Sequence, residues 1–261
     1  MVTRDTAWPS GTPCWVDLGV DDVMRASAFY SRLFGWDIQA GPPEAGGYTM
    51  CLQDGHPVAG IAPKQGPPDT PTVWTIYIAS DDADETAGKI TAAGGKILAS
   101  PMDVMDVGRV ALAADPAGAA FGIWQARNHT GFGLTGEPGS VCWNETFSRD
   151  MEGSQAFYSA VFGYEYGDMS APDFRYATLK IDGKEVGGIG ELGASVPPEV
   201  PAHWSTYFAV GDTDAAVATV TGAGGAVTRE PWDTPYGRMA VVSDDQGAAF
   251  SLMGTPAAAS G

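Results

Sequence analysis

The sequence predicts an α+β fold of two tandem domains, each built from two βαβββ modules. The first observation is an internal repeat, in which "AFYSRLFGW" at residues 28–36 returns as "AFYSAVFGY" at residues 156–164. The second is composition, because 35 glycines and 19 prolines in 261 residues favour many short strands and turns. The third is that strand-like and helix-like patterns follow one another in the same order four times along the chain.

The repeat sets the expected domain boundaries. "CW" at residues 14–15 returns at residues 142–143, an offset of 128, and the similarity continues to the end of each half. A unit of this length is a duplicated domain rather than a solenoid repeat. We therefore predict one domain over residues 11–127, a second over residues 140–254 and a glycine-rich linker over residues 128–139.

The first module contains one helix among four strands. The strand "CWVDLGV" covers residues 14–20, and the helix at residues 22–34 is capped by Asp22 and stopped by Gly35. The apolar residues of that helix recur at helical spacing. The other three strands are expected near residues 36–39, 48–53 and 56–62.

The second module repeats this order. Its first strand, "VWTIYIA", covers residues 73–79, and its helix covers residues 82–93 and ends at a Gly-Gly pair. We expect the second domain to contain the same elements in the same order. The three strands that follow the second helix are expected near residues 96–102, 108–114 and 119–125.

The charge of the chain argues against several classes of partner. There are 32 acidic and 14 basic residues, which give a net charge of -18. Phosphate backbones and anionic lipid repel such a chain, so we expect neither nucleic acid nor a membrane as a partner. No apolar run approaches the roughly 20 residues that span a bilayer, the N-terminus lacks an apolar signal core, and the three cysteines form no CxxC pair. We therefore expect a cytoplasmic monomer or homodimer.

A longer pattern carries a family resemblance. The segment from Val20 to Gly35 reads V-x-D-x-x-x-A-x-x-F-Y-x-x-x-F-G, and a later "DPAG" at residues 115–118 precedes another strand. This combination resembles the vicinal oxygen chelate superfamily, which includes glyoxalase I, bleomycin-resistance proteins and extradiol dioxygenases. The tandem layout is similar to that of actinobacterial two-domain proteins of glyoxalase-like or hydroxylase type. The resemblance covers about residues 11–254 and implies sheets curled into half-barrels that hold a ligand.

The resemblance also implies four inward-facing positions that bind a divalent metal in many members of the family. In the first half three of these positions correspond to Trp15, Thr75 (or its neighbour Trp74) and Gly122, and the fourth lies near residues 60–62. The counterparts in the second half are Trp143, Ser205 (or Trp204), Ser251 and residues near 188–191. Divalent metals favour imidazole, carboxylate or thiolate ligands, so we expect no metal and no other cofactor.

Strand alternation indicates what lines each cavity instead. Because neighbouring side chains of a strand point to opposite faces, one face of the first domain carries Trp15, Asp17, Thr75 and Tyr77. The corresponding face of the second domain carries Trp143, Glu145, Ser205 and Tyr207. An indole, a carboxylate and a phenol in one concavity suit a flat, largely apolar ligand with one or two hydrogen-bonding groups.

The two carboxylates are the candidate catalytic groups. Asp17 and Glu145 lie among aromatic residues, where a raised pKa would suit a general acid or base. In the alternative interpretation they brace the sheet by pairing with Arg109 and Arg238, or with a tyrosine hydroxyl. Both arginines are also candidate ligand contacts, as is His203, which stands near the start of a strand. We expect Cys14 and Cys142 to be buried on the helix-facing side.

Three functions stay open on the sequence alone. The first is a metal-independent protein that binds, and sequesters or transforms, a planar or aromatic molecule in secondary-metabolite biosynthesis or resistance. The second is a metal-dependent lyase or isomerase of glyoxalase type, with a ligand set such as Glu145, Glu191 and His203. The third is a scaffold without a functional cavity. The sequence leaves open whether the chain is an enzyme.

Overall fold

The computed structural model describes residues 2–67 and 69–254. Each half of this part of the chain forms one eight-stranded mixed sheet that carries two α-helices. The elements of the first half are β1 (Val2–Thr3), β2 (Pro13–Val20), α1 (Val23–Phe34), β3 (Asp37–Ala40), β4 (Thr49–Gln53), β5 (His56–Pro63), β6 (Val73–Ala79), α2 (Ala83–Ala92), β7 (Lys96–Val104), β8 (Gly108–Ala114) and β9 (Ala120–Ala126).

The second half repeats this series. A short two-residue strand, β10 (Leu134–Thr135), stands between the halves. The elements that follow it are β11 (Val141–Ser148), α3 (Met151–Phe162), β12 (Glu165–Asp168), β13 (Tyr176–Ile181), β14 (Lys184–Glu191), β15 (His203–Val210), α4 (Thr213–Gly222), β16 (Ala226–Thr234), β17 (Gly237–Ser243) and β18 (Ala249–Gly254).

Helix α1 shows why these residues form these elements. The Asp22 side chain accepts a hydrogen bond from the Arg25 backbone N–H, which satisfies one free donor of the first turn. At the other end Gly35 adopts φ 76°, a left-handed conformation that glycine takes without steric cost. The buried stripe of the helix contains Phe29 and Tyr30, as the helical spacing predicts.

Both sheets have the same strand order. In the first it is β3-β4-β5-β2-β6-β9-β8-β7, and in the second β12-β13-β14-β11-β15-β18-β17-β16. The first strands of the two modules, β2 and β6, pair antiparallel at the centre, and each pairs parallel with the last strand of its own module. The two modules of a domain therefore share one sheet with helices on one face. The predicted α+β fold of tandem modules is confirmed.

The two halves pack through their helices and aromatic side chains. Helix α1 lies against α4, and α2 lies against α3. The Phe34 ring of the first half lies 5.0 Å from the Phe208 ring of the second, and Tyr30 lies 5.7 Å from Phe250, between ring centroids. The hydrophobic core therefore continues from one half into the other.

Residues 128–139, predicted as a linker, pack closely against the first half. Strand β10 pairs antiparallel with β1, and Phe132 and Leu134 are buried. The Trp8 indole donates a hydrogen bond to the Phe132 carbonyl at 3.1 Å. This segment is therefore packed onto the first domain. Among the described residues, no helix is both long and apolar enough to cross a membrane.

Candidate functional site

The register of the central strands brings the predicted cavity residues together in two groups. In the first half Trp15 lies opposite Tyr77, and Asp17 lies opposite Thr75. Residues opposite one another on neighbouring strands share a face of the sheet. We call this group, on the face opposite the helices, the first concavity. The equivalent group is the second concavity, and it contains Trp143 opposite Tyr207 and Glu145 opposite Ser205.

A hydrogen-bonded chain of four side chains crosses the floor of the second concavity. The Tyr176 hydroxyl donates to Glu145 Oε2 at 2.6 Å, and the Tyr207 hydroxyl donates to Glu145 Oε1. The Trp143 indole donates to the Tyr176 oxygen at 2.9 Å. Burial raises the pKa of Glu145, and the hydroxyl and indole donors partly offset that rise. Both oxygens of this buried carboxylate are therefore engaged within the protein.

The first concavity contains a similar chain with a shorter acid. The Trp15 indole donates to the Tyr48 oxygen at 2.9 Å, and the Tyr77 hydroxyl lies beside Asp17. Burial raises the pKa of Asp17 to about 7, and the neighbouring Tyr77 hydroxyl limits the rise. Asp17 is one methylene shorter than glutamate and is partly exposed. Tyr77 and Tyr48 lie beside it without the two short bonds that Glu145 accepts, so it keeps capacity to accept from a ligand.

The tyrosines Tyr48 and Tyr176 belong to the candidate site and were missed by the sequence analysis. Each stands at the beginning of the third strand of its domain, and the two are related by the same offset of 128 residues as the repeated tryptophans. A repeated tyrosine in a segment that otherwise differs between the halves was the signal that could have identified them.

Glycines below the tyrosine rings make room for these networks. A Cβ added at Gly60 would lie 1.8 Å from the Tyr48 hydroxyl, and one added at Gly188 would lie 1.8 Å from that of Tyr176. A Cβ added at Gly122 would lie 2.1 Å from the Tyr77 ring. Aromatic rings therefore fill the space above these positions, and the glycines are required for that arrangement.

The first concavity is covered at its tryptophan and the second is more open there. The His129 ring stands edge-on to Trp15 with 4.4 Å between centroids, and Phe132 lies 5.6 Å away. Trp15 is 3% exposed, whereas Trp143 is only partly buried. Burial lowers the pKa of His129 to about 4. Its Nε2 atom is buried without a hydrogen-bond partner.

Comparison with known proteins assigns the chain to a family. A single family model, described as Glyoxalase/Bleomycin resistance protein/Dioxygenase superfamily, matches residues 14–123 and again residues 140–252. The chain belongs to this superfamily. The vicinal oxygen chelate resemblance inferred from the sequence is thereby confirmed.

Two relatives match the chain almost from end to end. "Putative glyoxylase CFP32" from Mycobacterium tuberculosis is 43% identical over 256 residues, which cover 96% of this chain and 97% of that protein. "Anthracycline biosynthesis protein DnrV" from Streptomyces peucetius is 40% identical over 274 residues, which cover 98% of this chain and 99% of that protein. The tandem arrangement of this vicinal oxygen chelate protein therefore recurs in relatives with different names.

Solved structures show the same fold at low sequence identity. The Mn(II)-bound glyoxalase from Novosphingobium aromaticivorans gives a TM-score of 0.66 with 16% identity, over 94% of this chain and 82% of that chain. The dioxygenase LapB from a Pseudomonas species gives 0.64 with 12% identity, over 97% and 94%. These similarities establish the fold of this vicinal oxygen chelate protein.

The donor atoms in its concavities do not fit a metal ion. Throughout residues 2–67 and 69–254 there is no group of three or more histidine, cysteine, aspartate or glutamate side chains placed to hold one. The alternative ligand set of the sequence analysis is not assembled. Glu191 pairs with Arg175 at 3.5 Å, the carboxylate of Glu145 accepts from tyrosines, and His203 Nδ1 contacts the Pro201 carbonyl.

Two predicted ligand contacts, Arg109 and Arg238, are corrected by the structure. Arg109 Nε donates to Asp84 Oδ2 on helix α2 at 2.7 Å, and its Nη1 donates to Asp103 at 3.0 Å. Arg238 makes the equivalent bond to Asp214 of helix α4, also at 2.7 Å. The arginines therefore lie on the helix-bearing faces of the sheets. Tyrosine hydroxyls occupy the role that the arginines were expected to play beside the two carboxylates.

The remaining predicted residues lie close to the concavities. His203 is on the same face as Ser205 at the rim of the second concavity, where its Nδ1 lies 2.8 Å from the Pro201 carbonyl. Cys14 is buried, but Cys142 is only partly buried and its thiol contacts the Tyr207 carbonyl at 3.4 Å. The expected burial of Cys142 is therefore wrong, although Cys14 stands at the same register shift in the first half and is buried.

Proposed function

We propose that this chain is a metal-independent vicinal oxygen chelate protein that binds a planar, largely apolar small molecule in its concavities. The observation that carries the proposal is which side chains surround the carboxylate in each concavity. Glu145 accepts from Tyr176 and Tyr207, and Asp17 lies beside Tyr77, so each acid is grouped with phenols instead of with other metal ligands.

The chemistry of the walls supports a flat ligand. Trp143 is partly exposed beside Tyr207 and can stack on an aromatic ring. Ser205 and Thr75, also partly buried, offer hydroxyls that can bond polar groups at the edge of such a ring. The name of the relative from Streptomyces peucetius refers to anthracyclines, which are fused-ring aromatic compounds with hydroxyl and carbonyl groups. A compound of that shape would match an indole wall with a few polar contacts.

We further propose that the first concavity transfers a proton to or from its ligand. Asp17 has a pKa of about 7 and is partly exposed, so near neutral pH it exchanges between a base and an acid. A phenolic hydroxyl of the ligand, placed against Asp17, would donate its proton to the carboxylate. The Tyr77 hydroxyl would interact with the other side of the carboxylate and keep it oriented. Glu145, engaged at both oxygens, would serve its own concavity as an anchor.

The proposal is tested by calorimetric titration with alizarin, a planar dihydroxyanthraquinone. Titrations at pH 7 in two buffers of different ionisation enthalpy report the number of protons exchanged on binding. We expect wild-type protein to exchange a fraction of a proton, because a group with a pKa of about 7 is about half ionised at that pH. Asp17→Asn should abolish the exchange. Asp182→Asn, in an exposed turn whose φ of 50° asparagine tolerates, is the matched control.

Two further measurements decide the rest of the proposal. Trp143→Phe should weaken alizarin binding about threefold to tenfold, since the indole stack is reduced to a smaller ring. Elemental analysis should find no stoichiometric nickel or zinc after metal-free protein is incubated with either ion. Stoichiometric uptake would overturn metal independence, and alizarin affinity unchanged in both Asp17→Asn and Trp143→Phe would overturn the concavities as the binding sites.

A further inference from the structure

A cleft separate from both concavities lies between the two halves. It has a volume of about 300 Å³ and is formed by helix α1, helix α4 and the segment at Pro138 and Gly139. Leu33 and Phe34 form one wall, and Ala216 of α4 contributes to the other. Helices cover one face of each sheet and the concavities occupy the other. The cleft, bordered by α1 and α4, therefore belongs to the helix-bearing side.

A hydrogen-bond acceptor without a partner lies beside the cleft. Gln53, the last residue of strand β4, contributes to the lining, and its Oε1 atom is buried and accepts no hydrogen bond. A buried polar atom that has lost water without gaining a partner costs free energy. A ligand that brings an N–H or O–H into the cleft would recover that cost.

The duplicated half carries different side chains at the equivalent place. Gln53 corresponds to Ile181, and Gly139 corresponds to Gly11, at the offset of 128 residues. A Cβ added at Gly139 would lie 2.6 Å from Gln53 Oε1, and one added at Gly11 would lie 2.5 Å from Ile181 Cδ1. The two side chains therefore fill the same position, and the amide replaces a hydrocarbon group at only one of them.

The helices at the two equivalent places also differ in the length of their side chains. Ala215 and Thr219 of α4 line the cleft, and their counterparts on α2, at an offset of 130 residues, are Glu85 and Lys89. Those two longer side chains form an ion pair of 2.8 Å along α2. Short side chains on α4 thus border the cleft beside the unpaired amide oxygen, where α2 carries a longer pair at the equivalent positions.

We propose that this interdomain cleft binds a small, flat, uncharged molecule that donates one O–H or N–H to Gln53 Oε1. Its volume is at the lower end of those typical for ligand pockets and suits one or two rings. The apolar wall of Leu33 and Phe34 would contact the rings. The Asp212 carboxylate at the rim and the net charge of -18 disfavour an anion. A phenol has the required chemistry.

The test uses phenol and its methyl ether, anisole, with full-length protein labelled with ¹⁵N. We expect phenol to shift the backbone amide signals of Gly139 and Gly211, which border the cleft, and to bind at least about tenfold more tightly than anisole, which has no donor. Gln53→Ile, which copies the other half, should weaken phenol binding about tenfold. Ala215→Glu with Thr219→Lys, which copies the exposed surface of α2, should block the cleft without changing the core.

The outcomes separate this site from the concavities. Phenol shifts confined to residues around Asp17 or Glu145, equal affinity for phenol and anisole, or unchanged affinity in both cleft variants would each overturn the proposal. Binding in the cleft does not depend on the proposed function of the concavities, because the two sites are separate. Alizarin should therefore bind Gln53→Ile as tightly as it binds the wild type. Loss of alizarin binding in Asp17→Asn would equally leave the phenol shifts at Gly139 in place.

Discussion

The hydroxyl of Tyr30, in the first half, donates a hydrogen bond of 3.0 Å to Asp244 Oδ2 in the second half. The same tyrosine oxygen accepts from the Trp74 indole at 3.1 Å. The contact is reciprocated, because Tyr158 of the second half lies beside Asp115 of the first. Each domain thus inserts a helix tyrosine against the aspartate before the last strand of the other, and these buried polar groups tie the halves together.

Tyr30→Phe should therefore destabilise the whole chain. Removal of the hydroxyl leaves Asp244 Oδ2 and the Trp74 indole without this partner in a buried environment, which typically costs about 1–3 kcal/mol. The free energy of unfolding from urea denaturation measures the loss. Tyr236→Phe is the matched control, because Tyr236 is 60% exposed and its hydroxyl should contribute little. Equal stability of the two variants would show that the Tyr30 bond is not significant.

The sequence was sufficient to predict the parts of the fold that depend on local patterns and on the repeat. Helix α1 begins after Asp22 and ends before Gly35, where the capping residues placed its ends. Strand alternation placed Trp15 and Asp17 on one face, and the register with β6 adds Thr75 to that face. These features follow from side-chain periodicity and capping, which act over a few residues.

The parts that could not be predicted depend on long-range packing. Arg109 was assigned to a concavity, but its neighbour Val110 lies opposite Trp124 on that face, so Arg109 faces the helices. Deciding this needs the register across three strands, which local patterns do not fix. The cover that His129 provides over Trp15 comes from an irregular segment with no periodic signal. Tertiary contacts alone determine where such a segment packs.

Asp17 should make the stability of the protein fall as pH rises from about 4 to about 7. Its pKa is raised from 3.8 to about 7 on folding, so in that window the folded state holds a proton that the unfolded state has released. The effect approaches about 1.4 kcal/mol per pH unit at most. Asp17→Asn stays neutral, so the variant should become more stable relative to the wild type with each step up in pH. Urea denaturation at several pH values measures the difference, and a constant difference would contradict a raised pKa for Asp17.

His129 should have the opposite effect. Burial lowers its pKa from 6.5 to about 4, so below about pH 6.5 the unfolded state binds a proton that the folded state does not. The stability that neutral His129 provides is therefore complete above that pH and is lost as pH falls toward 4. His129→Phe keeps an aromatic edge against Trp15 and should remove this loss, so that the variant gains relative stability on acidification. Denaturation curves that keep the wild-type pH dependence would falsify the assignment.

Gly122 should be essential because the Tyr77 ring lies directly over it. A Cβ there would lie 2.1 Å from the ring, so Gly122→Ala must displace Tyr77 and should cost about 1–3 kcal/mol of stability through overpacking. Displacement of Tyr77 also takes away the neighbouring hydroxyl that limits the pKa of Asp17, so that pKa should rise further.

The matched control for this variant is Gly88→Ala. Gly88 lies in the interior of α2 and is exposed, and a Cβ added there meets no atom within 4 Å. This change should stabilise the protein by about 0.5–1 kcal/mol, because alanine is the better helix former. Urea denaturation compares the stabilities, and carboxyl ¹³C NMR follows the titration of Asp17. If Gly122→Ala matched its control in stability and left the Asp17 titration unchanged, the glycine would not be the support of the tyrosine. A shift of that titration to higher pH together with lost stability would show that the absence of a side chain at position 122 lets the Tyr77 ring lie against Asp17.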